Sequence, residues 1–213
     1  MIRIFSVFLG AVALLASAQV ALAQNATSSD EPMFSDAERD RIRAEALVAI
    51  LQYPEIIEEA MAVLEQRRAN AALASVLADP NTPILGNPDA EVTLIEFFDY
   101  NCGYCRRMAE PLRDLIKDDG ELRIVMIETP ILSEESLGAA QASLAASILG
   151  IDYSDVHFGA MIGSGRASGN SVAGIAVELG VNEDDLRAHM DGDEVAATIT
   201  RNYAAMQAMD ISG

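Results

Sequence analysis

The chain has 213 residues, with 33 acidic against 14 basic side chains, a formal net charge of −19 and 51% hydrophobic residues. A surface this negative repels nucleic acid and anionic lipid headgroups and favours solubility, which sets aside the nucleic-acid-binding classes. There are two cysteines and no tryptophan.

Residues 1–23 hold one cation, Arg3, and no acidic residue; an apolar run from Ile4 to Ala18 leads to the small-x-small ending Ala21-Leu22-Ala23. That is the layout of a secretory signal peptide, with cleavage expected between Ala23 and Gln24. The run is shorter than the roughly 20 residues that cross a bilayer. An exported, soluble mature chain is therefore expected. Residues 24–33 are small and polar and read as a disordered lead.

A helix is expected from Ser35, which with Glu38 three residues on makes a capping box. Ile42, Ala46, Ala49 and Ile50 keep helical spacing. Pro54 interrupts, and Glu55 opens a second helix whose stripe includes Ile56, Ile57, Ala60, Met61, Val63 and Leu64 and which continues through Leu73, Val76 and Leu77 to Asp79-Pro80. Residues 34–79 are too few to bury this apolar material alone. They are expected to dock on the main domain or on another copy, and self-association is preferred.

After the turn-rich linker Asp79-Pro80-Asn81-Thr82-Pro83, the run Val92–Phe98 reads as a buried strand, with a short strand at Ile84-Leu85 before it. The cysteines follow, then a helix through Met108, Leu112, Leu115 and Ile116 with a kink at Pro111. A second strand runs from Leu122 to Ile127. Strand, helix and strand form a βαβ unit with parallel strands, so the fold class is α/β. From Ser133 onward the pattern is helical: Ser136–Leu149, Tyr153–Ile162, Ser171–Leu179, a helix capped by Asn182, and Glu194–Met209.

Cys102 and Cys105 are three apart, and a bridge between them closes too short a loop to be chiefly structural. Cys102 stands where the strand gives way to the helix. A thiol at a helix N-terminus feels the positive end of the dipole and free N–H groups, and its pKa falls to roughly 3.5–7.5 in such C-x-x-C settings. Cys102 is then the attacking thiolate and Cys105 the resolving thiol, the pair cycling through a Cys102–Cys105 disulfide. Structural zinc needs four ligands, and neither a second C-x-x-C nor ligand spacing around His157 and His189 exists. No metal and no cofactor is expected. Glu96 lies mid-strand between apolar neighbours, either turned to solvent or buried with a raised pKa to exchange protons with Cys105.

From Thr82 to the end, the chain resembles the DsbA-like branch of the thioredoxin superfamily. The likeness is carried by Glu96-Phe97-Phe98-Asp99-Tyr100-Asn101-Cys102-Gly103-Tyr104-Cys105, by Glu128-Thr129-Pro130-Ile131-Leu132 and by the helical insertion that follows. Residues 34–79 are similar to the N-terminal helices of ScsC-like proteins, periplasmic copper-tolerance relatives of DsbA. The resemblance implies a thioredoxin-like fold over residues 80–213 with a helical insertion, a periplasmic location, and catalytic roles for Cys102, Cys105 and the buried carboxylate Glu96. It also implies cysteine-containing exported proteins as substrates and a membrane thiol reductase or oxidase that recycles the pair. The central Gly103-Tyr104 departs from the Pro-His of strongly oxidising DsbA and is similar to the pair in DsbC-type isomerases, so isomerase or reductase chemistry is expected over oxidase.

Such enzymes also carry a Thr-Pro or Val-Pro loop opposite the cysteines, followed by two strands and a helix. The counterpart of the segment before that loop is Met209-Asp210-Ile211-Ser212-Gly213. The thioredoxin domain is thus expected to be incomplete at its C-terminus. Three readings follow: a redox enzyme, an inactive truncated fragment, or an oligomeric copper-handling module that uses the thiols as ligands.

Overall fold

The structure is a computed structural model that describes residues 33–212. The expected signal peptide, the cleavage site expected between Ala23 and Gln24, and the expected disordered lead up to residue 32 lie outside the described residues; Met33, the last residue of that lead, is described. The chain divides into two compact units, one up to Ile57 and one from Glu58 onward.

The first unit is built on helix α1, Asp36–Gln52. The Ser35 side chain accepts from Glu38 N while the Glu38 carboxylate takes Ser35 N at 2.8 Å, so the capping box forms as its sequence requires. No residue of α1 is buried. Pro54 ends the run, and α2 spans Glu55–Leu77, with its first turn in the first unit and the rest in the second.

In the second unit a three-stranded sheet has the order β1-β3-β2: β1 Ile84–Gly86, β2 Val92–Phe98 and β3 Leu122–Glu128. Strands β2 and β3 are parallel, in register from Val92↔Leu122 to Phe98↔Glu128, and α3, Gly103–Asp118, connects them. This is the expected βαβ unit. α3 runs through Pro111 as one helix. The short strand at Ile84 also forms, antiparallel to β3. It ends at Gly86, whose φ is +82° and where a Cβ would stand 2.5 Å from the Leu122 carbonyl oxygen, so only glycine fits.

Alternation along the strands sorts the core into two faces. Leu94, Phe98, Leu122, Ile124 and Met126 join Leu85 and the helical layer. Ile95, Phe97, Val125 and Ile127 pack with Leu73 and Val76 of α2 and with Ala205. The C-terminal part of α2 thus docks on its own sheet. Asp79, just past α2, accepts from Thr198 Oγ1 at 2.8 Å and pairs with Arg201.

The insertion comprises α4 Glu134–Ile148, α5 Tyr153–Ile162, α6 Gly169–Glu178, α7 Glu183–Met190 and α8 Asp193–Ala208. Helices α4 and α6 start two residues before the apolar pattern does, because Ser133 and Ser168 are the N-caps. These two helices meet closely: a Cβ on Gly138 would lie 3.0 Å from Gly169 N. As expected, Asn182 caps α7 by accepting from Asp185 N.

Candidate active site

Four residues, Asp99 to Cys102, join β2 to α3, and three of them are tied down by side-chain bonds. The Asp99 carboxylate accepts from Asn101 N at 2.7 Å and Leu132 N at 3.0 Å. Tyr100 donates its hydroxyl to Ser143 Oγ of α4 at 2.7 Å. The Asn101 amide donates to Ser136 Oγ and to the Ala167 carbonyl, and accepts from Ala167 N at 2.9 Å. Arg106 adds a fourth tie, donating to the carbonyls of Tyr100, Ala160 and Gly163. The loop under Cys102 is therefore gripped by the turn after β3, by α4 and by the end of α5. The sequence marks Asp99-Tyr100-Asn101 only as part of the motif before Cys102; the structure makes these side chains anchors.

Cys102 is the N-cap of α3, its carbonyl accepting from Arg106 N at 3.0 Å. Both cysteines are half-buried free thiols. Burial alone would raise the Cys102 thiol. Hydrogen bonds from the Cys105 backbone and thiol and from the Tyr104 backbone outweigh it and hold Cys102 below the ordinary thiol value. Cys105 lies one turn in. Burial, joined by the neighbouring Cys102 and Glu96 charges, pushes its thiol up to about 12, and a backbone bond at Asp99 offsets only part of this. One thiol is thus poised to ionise and the other to stay protonated.

Glu96 shares a sheet face with Leu94 and Phe98. Its Oε2 is buried with no hydrogen-bond partner, and burial raises the carboxyl from 4.5 to about 7. Of the two sequence readings of Glu96, the solvent-facing one does not hold. A carboxyl near neutrality beside a high-pKa thiol can take that thiol's proton.

A second buried carboxyl was not singled out from sequence. Glu128 is 1% exposed at the end of β3, in register with Phe98. Its Oε1 accepts from Tyr153 OH at 2.8 Å, its Oε2 has no partner, and burial pushes it up to about 8. Beside it, His157 is ringed by Phe98, Tyr100, Tyr153 and Phe158. Burial lowers its pKa to about 3, so the ring is a neutral core residue. The sequence signal for Glu128 was of the same kind as for Glu96, a carboxylate next to an apolar strand run: Glu96 stands inside β2, and Glu128 closes Ile124–Ile127 of β3. His189 lies elsewhere, its ring nitrogen 2.8 Å from the Asp185 carbonyl oxygen on α7. Among the described residues no three His, Cys, Asp or Glu side chains gather as a metal site.

Gly103 and Tyr104 are exposed at the helix start. Beside the cysteines, a cavity of about 230 Å³ is lined by Phe97, Thr129, Ile131, Leu132 and Met206.

A family model described as Thioredoxin matches residues 78–213. A thioredoxin-like oxidoreductase from Silicibacter pomeroyi is 42% identical with a TM-score of 0.61, over 65% of this chain and 80% of that one. The thiol-disulfide exchange protein alpha-DsbA2 from Wolbachia pipientis is 26% identical with a TM-score of 0.59, over 84% and 85%. Proteus mirabilis ScsC, 24% identical with a TM-score of 0.58 over 85% and 84%, shares the fold. Two curated proteins also match, the Na(+)/H(+) antiporter NhaA of Herminiimonas arsenicoxydans, 30% identical over 140 residues (63% of this chain), and NhaA 1 of Salinispora arenicola, 26% over 158 residues (69%). This chain spans only 22% and 24% of their lengths. Among the described residues no helix is long and apolar enough to cross a membrane. With the family match covering most of the chain and the βαβ unit presenting its cysteine pair at the start of α3, the chain belongs to the thioredoxin family and has the fold of its DsbA-like thiol–disulfide oxidoreductases.

Proposed function

We propose that this chain is a periplasmic thiol–disulfide oxidoreductase that works as an isomerase or reductase and assembles with its own copies through residues 34–79. The observation that carries the reading is the opposed state of the two thiols, Cys102 held below its ordinary value and Cys105 pushed up to about 12 beside Glu96. The Cys102 thiolate attacks one sulfur of a substrate disulfide, forming a mixed disulfide and expelling the other sulfur as thiolate. In isomerisation a substrate thiolate then attacks and releases Cys102. In reduction the Cys105 thiol gives its proton to the Glu96 carboxylate and attacks Cys102 Sγ. The Cys102–Cys105 disulfide forms, the second substrate thiolate leaves, and two electrons have passed to the substrate.

Gly103-Tyr104 places no histidine over the thiolate, so its support comes from backbone N–H groups and the Cys105 thiol alone. That favours a less oxidising pair. Export is supported by the composition of residues 1–23, and self-association by the exposed Leu47, Val48 and Leu51 of α1. The substrates are exported proteins with cysteines, and a membrane thiol reductase or oxidase returns the pair to its working state.

Equilibration with glutathione buffers tests the direction of catalysis. A reduction potential well below the roughly −120 mV of a strong oxidant such as DsbA, with reactivation of a scrambled-disulfide protein, is expected. A potential at that value, with net oxidation and no shuffling, would make the protein an oxidase.

A further inference from the structure

We infer that Arg107, stacked on the Tyr104 ring at the mouth of the cysteine pair, favours disulfide partners that carry a carboxylate beside the sulfur under attack. The inference rests on the thiol–disulfide reading above and names the substrate class of that same site.

The Arg107 guanidinium carbon lies 4.4 Å from the Tyr104 ring centroid, close enough for the ring quadrupole to hold a cation. The two are spaced i, i+3 on one face of α3, and helical side chains lean toward the N-terminus. The guanidinium accordingly reaches back over the first turn: a Cβ on Gly103 would stand 3.8 Å from Arg107 Nη1. The charge therefore overhangs the residue next to the Cys102 N-cap. Tyr104 is 77% exposed and Arg107 is exposed as well, so the stack faces solvent on the first turn of the helix that Cys102 caps.

The neighbouring cations are already engaged. Arg106 is bound to three carbonyls, Arg166 pairs with Glu135 at 3.6 Å, and Arg113 pairs with Glu110 at 3.3 Å. Among the described residues no carboxylate lies within ion-pair distance of Arg107. The acids of the mouth are withdrawn: Asp99 is 4% exposed and held by two backbone N–H groups, and Glu96 is turned inward. In a chain of net charge −19, an unpaired cation at the point of attack reverses the local sign. Long-range repulsion from the rest of the surface is screened beyond about 8 Å at physiological ionic strength, while the contact with Arg107 is not. Beside the cysteines, the exposed Ile131 and Leu132 give the cavity an apolar rim. A partner seated by an apolar side chain there carries its other flank over the stack.

The reacting step is attack of the Cys102 thiolate on one sulfur of a disulfide, forming a mixed disulfide and releasing the other sulfur as thiolate. Stopped-flow rates of the reduced full chain are measured with three disulfides of similar size: dithiodipropionate (anionic), hydroxyethyl disulfide (neutral) and cystamine (cationic). The readout is the ratio of the anionic to the cationic rate. A change in Cys102 nucleophilicity cancels in that ratio, so a role confined to the thiol pKa would leave it still. Arg107→Gln is expected to lower the ratio about fivefold and Arg107→Glu about twentyfold, the scale of exposed charge contacts acting in opposite senses on the two rates. Arg107→Lys should keep most of it, and Tyr104→Leu, which frees the guanidinium, should lower it part of the way. An equal ratio in wild type, Arg107→Gln and Arg107→Glu overturns the inference, and a neutral disulfide that still reacts at Cys102 leaves the thiol–disulfide reading standing. No reaction at Cys102 with any of the three overturns that reading and the inference with it.

Discussion

Helices α1 and α4 begin alike and end up in opposite environments. Each opens on a serine whose hydroxyl accepts from the backbone three residues on, and each carries acids in its first turn. Yet α1 buries nothing, while α4 buries Ala139, Ala140, Ala142, Leu144, Ala145 and Ala146 together with Ser136 and Ser143. Cap chemistry is local and decides where a helix starts. Burial is decided by what the side chains let come near. On α4 the small residues let α6 approach to backbone contact at Gly138 and Gly169, and Ser143 meets Tyr100. On α1 the large apolar residues Leu47, Val48, Ile50 and Leu51 spread over an arc of about 160°, and among the described residues of its own unit no element covers them.

The largest effect expected from that contrast is on stability. Leu144→Ala, in the packed helix, should cost about 2–5 kcal/mol, as large-to-small changes in cores do. Leu47→Ala should cost less than about 0.5 kcal/mol in dilute protein, as exposed substitutions do. Urea melts of both at low concentration check this. If Leu47→Ala is as costly as Leu144→Ala, α1 is covered in the monomer. The proposed partner for α1 is a second copy, so Leu47→Glu with Leu51→Glu should shift sedimentation of the whole chain toward monomer while the melt hardly moves. A wild type that is monomeric at every concentration would remove the self-association reading.

The buried groups behind α4 give a pH signature of the packed region, of about 1.4 kcal/mol per pH unit for each proton. His157 is held from 6.5 down to about 3, so between those values the unfolded chain binds the extra proton. Its stabilising contribution is complete above pH 6.5 and is lost as pH falls toward 3. Glu128 is raised from 4.5 to about 8, so the folded chain binds the extra proton, and its contribution is complete below pH 4.5 and lost as pH rises toward 8. Glu96, raised to about 7, adds to the same decline. Two raised carboxyls outweigh one lowered imidazole, so stability should fall from pH 4.5 down to 3 and fall again from pH 4.5 up to 8. Thermal melts across that range should lose the acid limb in His157→Phe and the upper part of the alkaline limb in Glu128→Gln. Limbs unchanged in both variants would mean that these groups titrate normally.

A smaller effect is expected where α4 grips the cysteine loop. Tyr100→Phe removes the bond to Ser143 and should cost about 0.5–1.5 kcal/mol. It should also speed hydrogen exchange at Asn101 and Cys102. Exchange unchanged there would show that the loop is held by Asp99 and Asn101 without Tyr100.

The parts of this molecule legible in its sequence were those written locally. The Ser35–Glu38 box, Pro54, Asn182, the apolar runs of β2 and β3 and the cysteines at a strand-to-helix junction each act within a few residues of themselves. The starts of α4 and α6 are local too: the capping serines Ser133 and Ser168 set them two residues ahead of the apolar pattern. What could not be read was contact across the chain. Asn101 meets Ala167, Tyr100 meets Ser143 and Glu128 meets Tyr153, and no spacing rule joins partners so far apart. Glu96 was open on its neighbours alone; the family resemblance implied burial, and the sheet face it shares with Phe98 is what buries it. The stripe assigned to α1 also omitted Leu47, Val48 and Leu51, the residues that leave the helix uncovered.

The central claim is that one fold position makes Cys102 reactive and another keeps Cys105 protonated. Competitive alkylation of the reduced chain with iodoacetamide, mapped by peptide mass from pH 4 to pH 10, tests it most directly. Cys102 should label first throughout, with a rate that titrates below the ordinary thiol range, while Cys105 stays nearly unlabelled at neutral pH. Equal labelling of the two thiols, or Cys105 labelled before Cys102, would contradict the account.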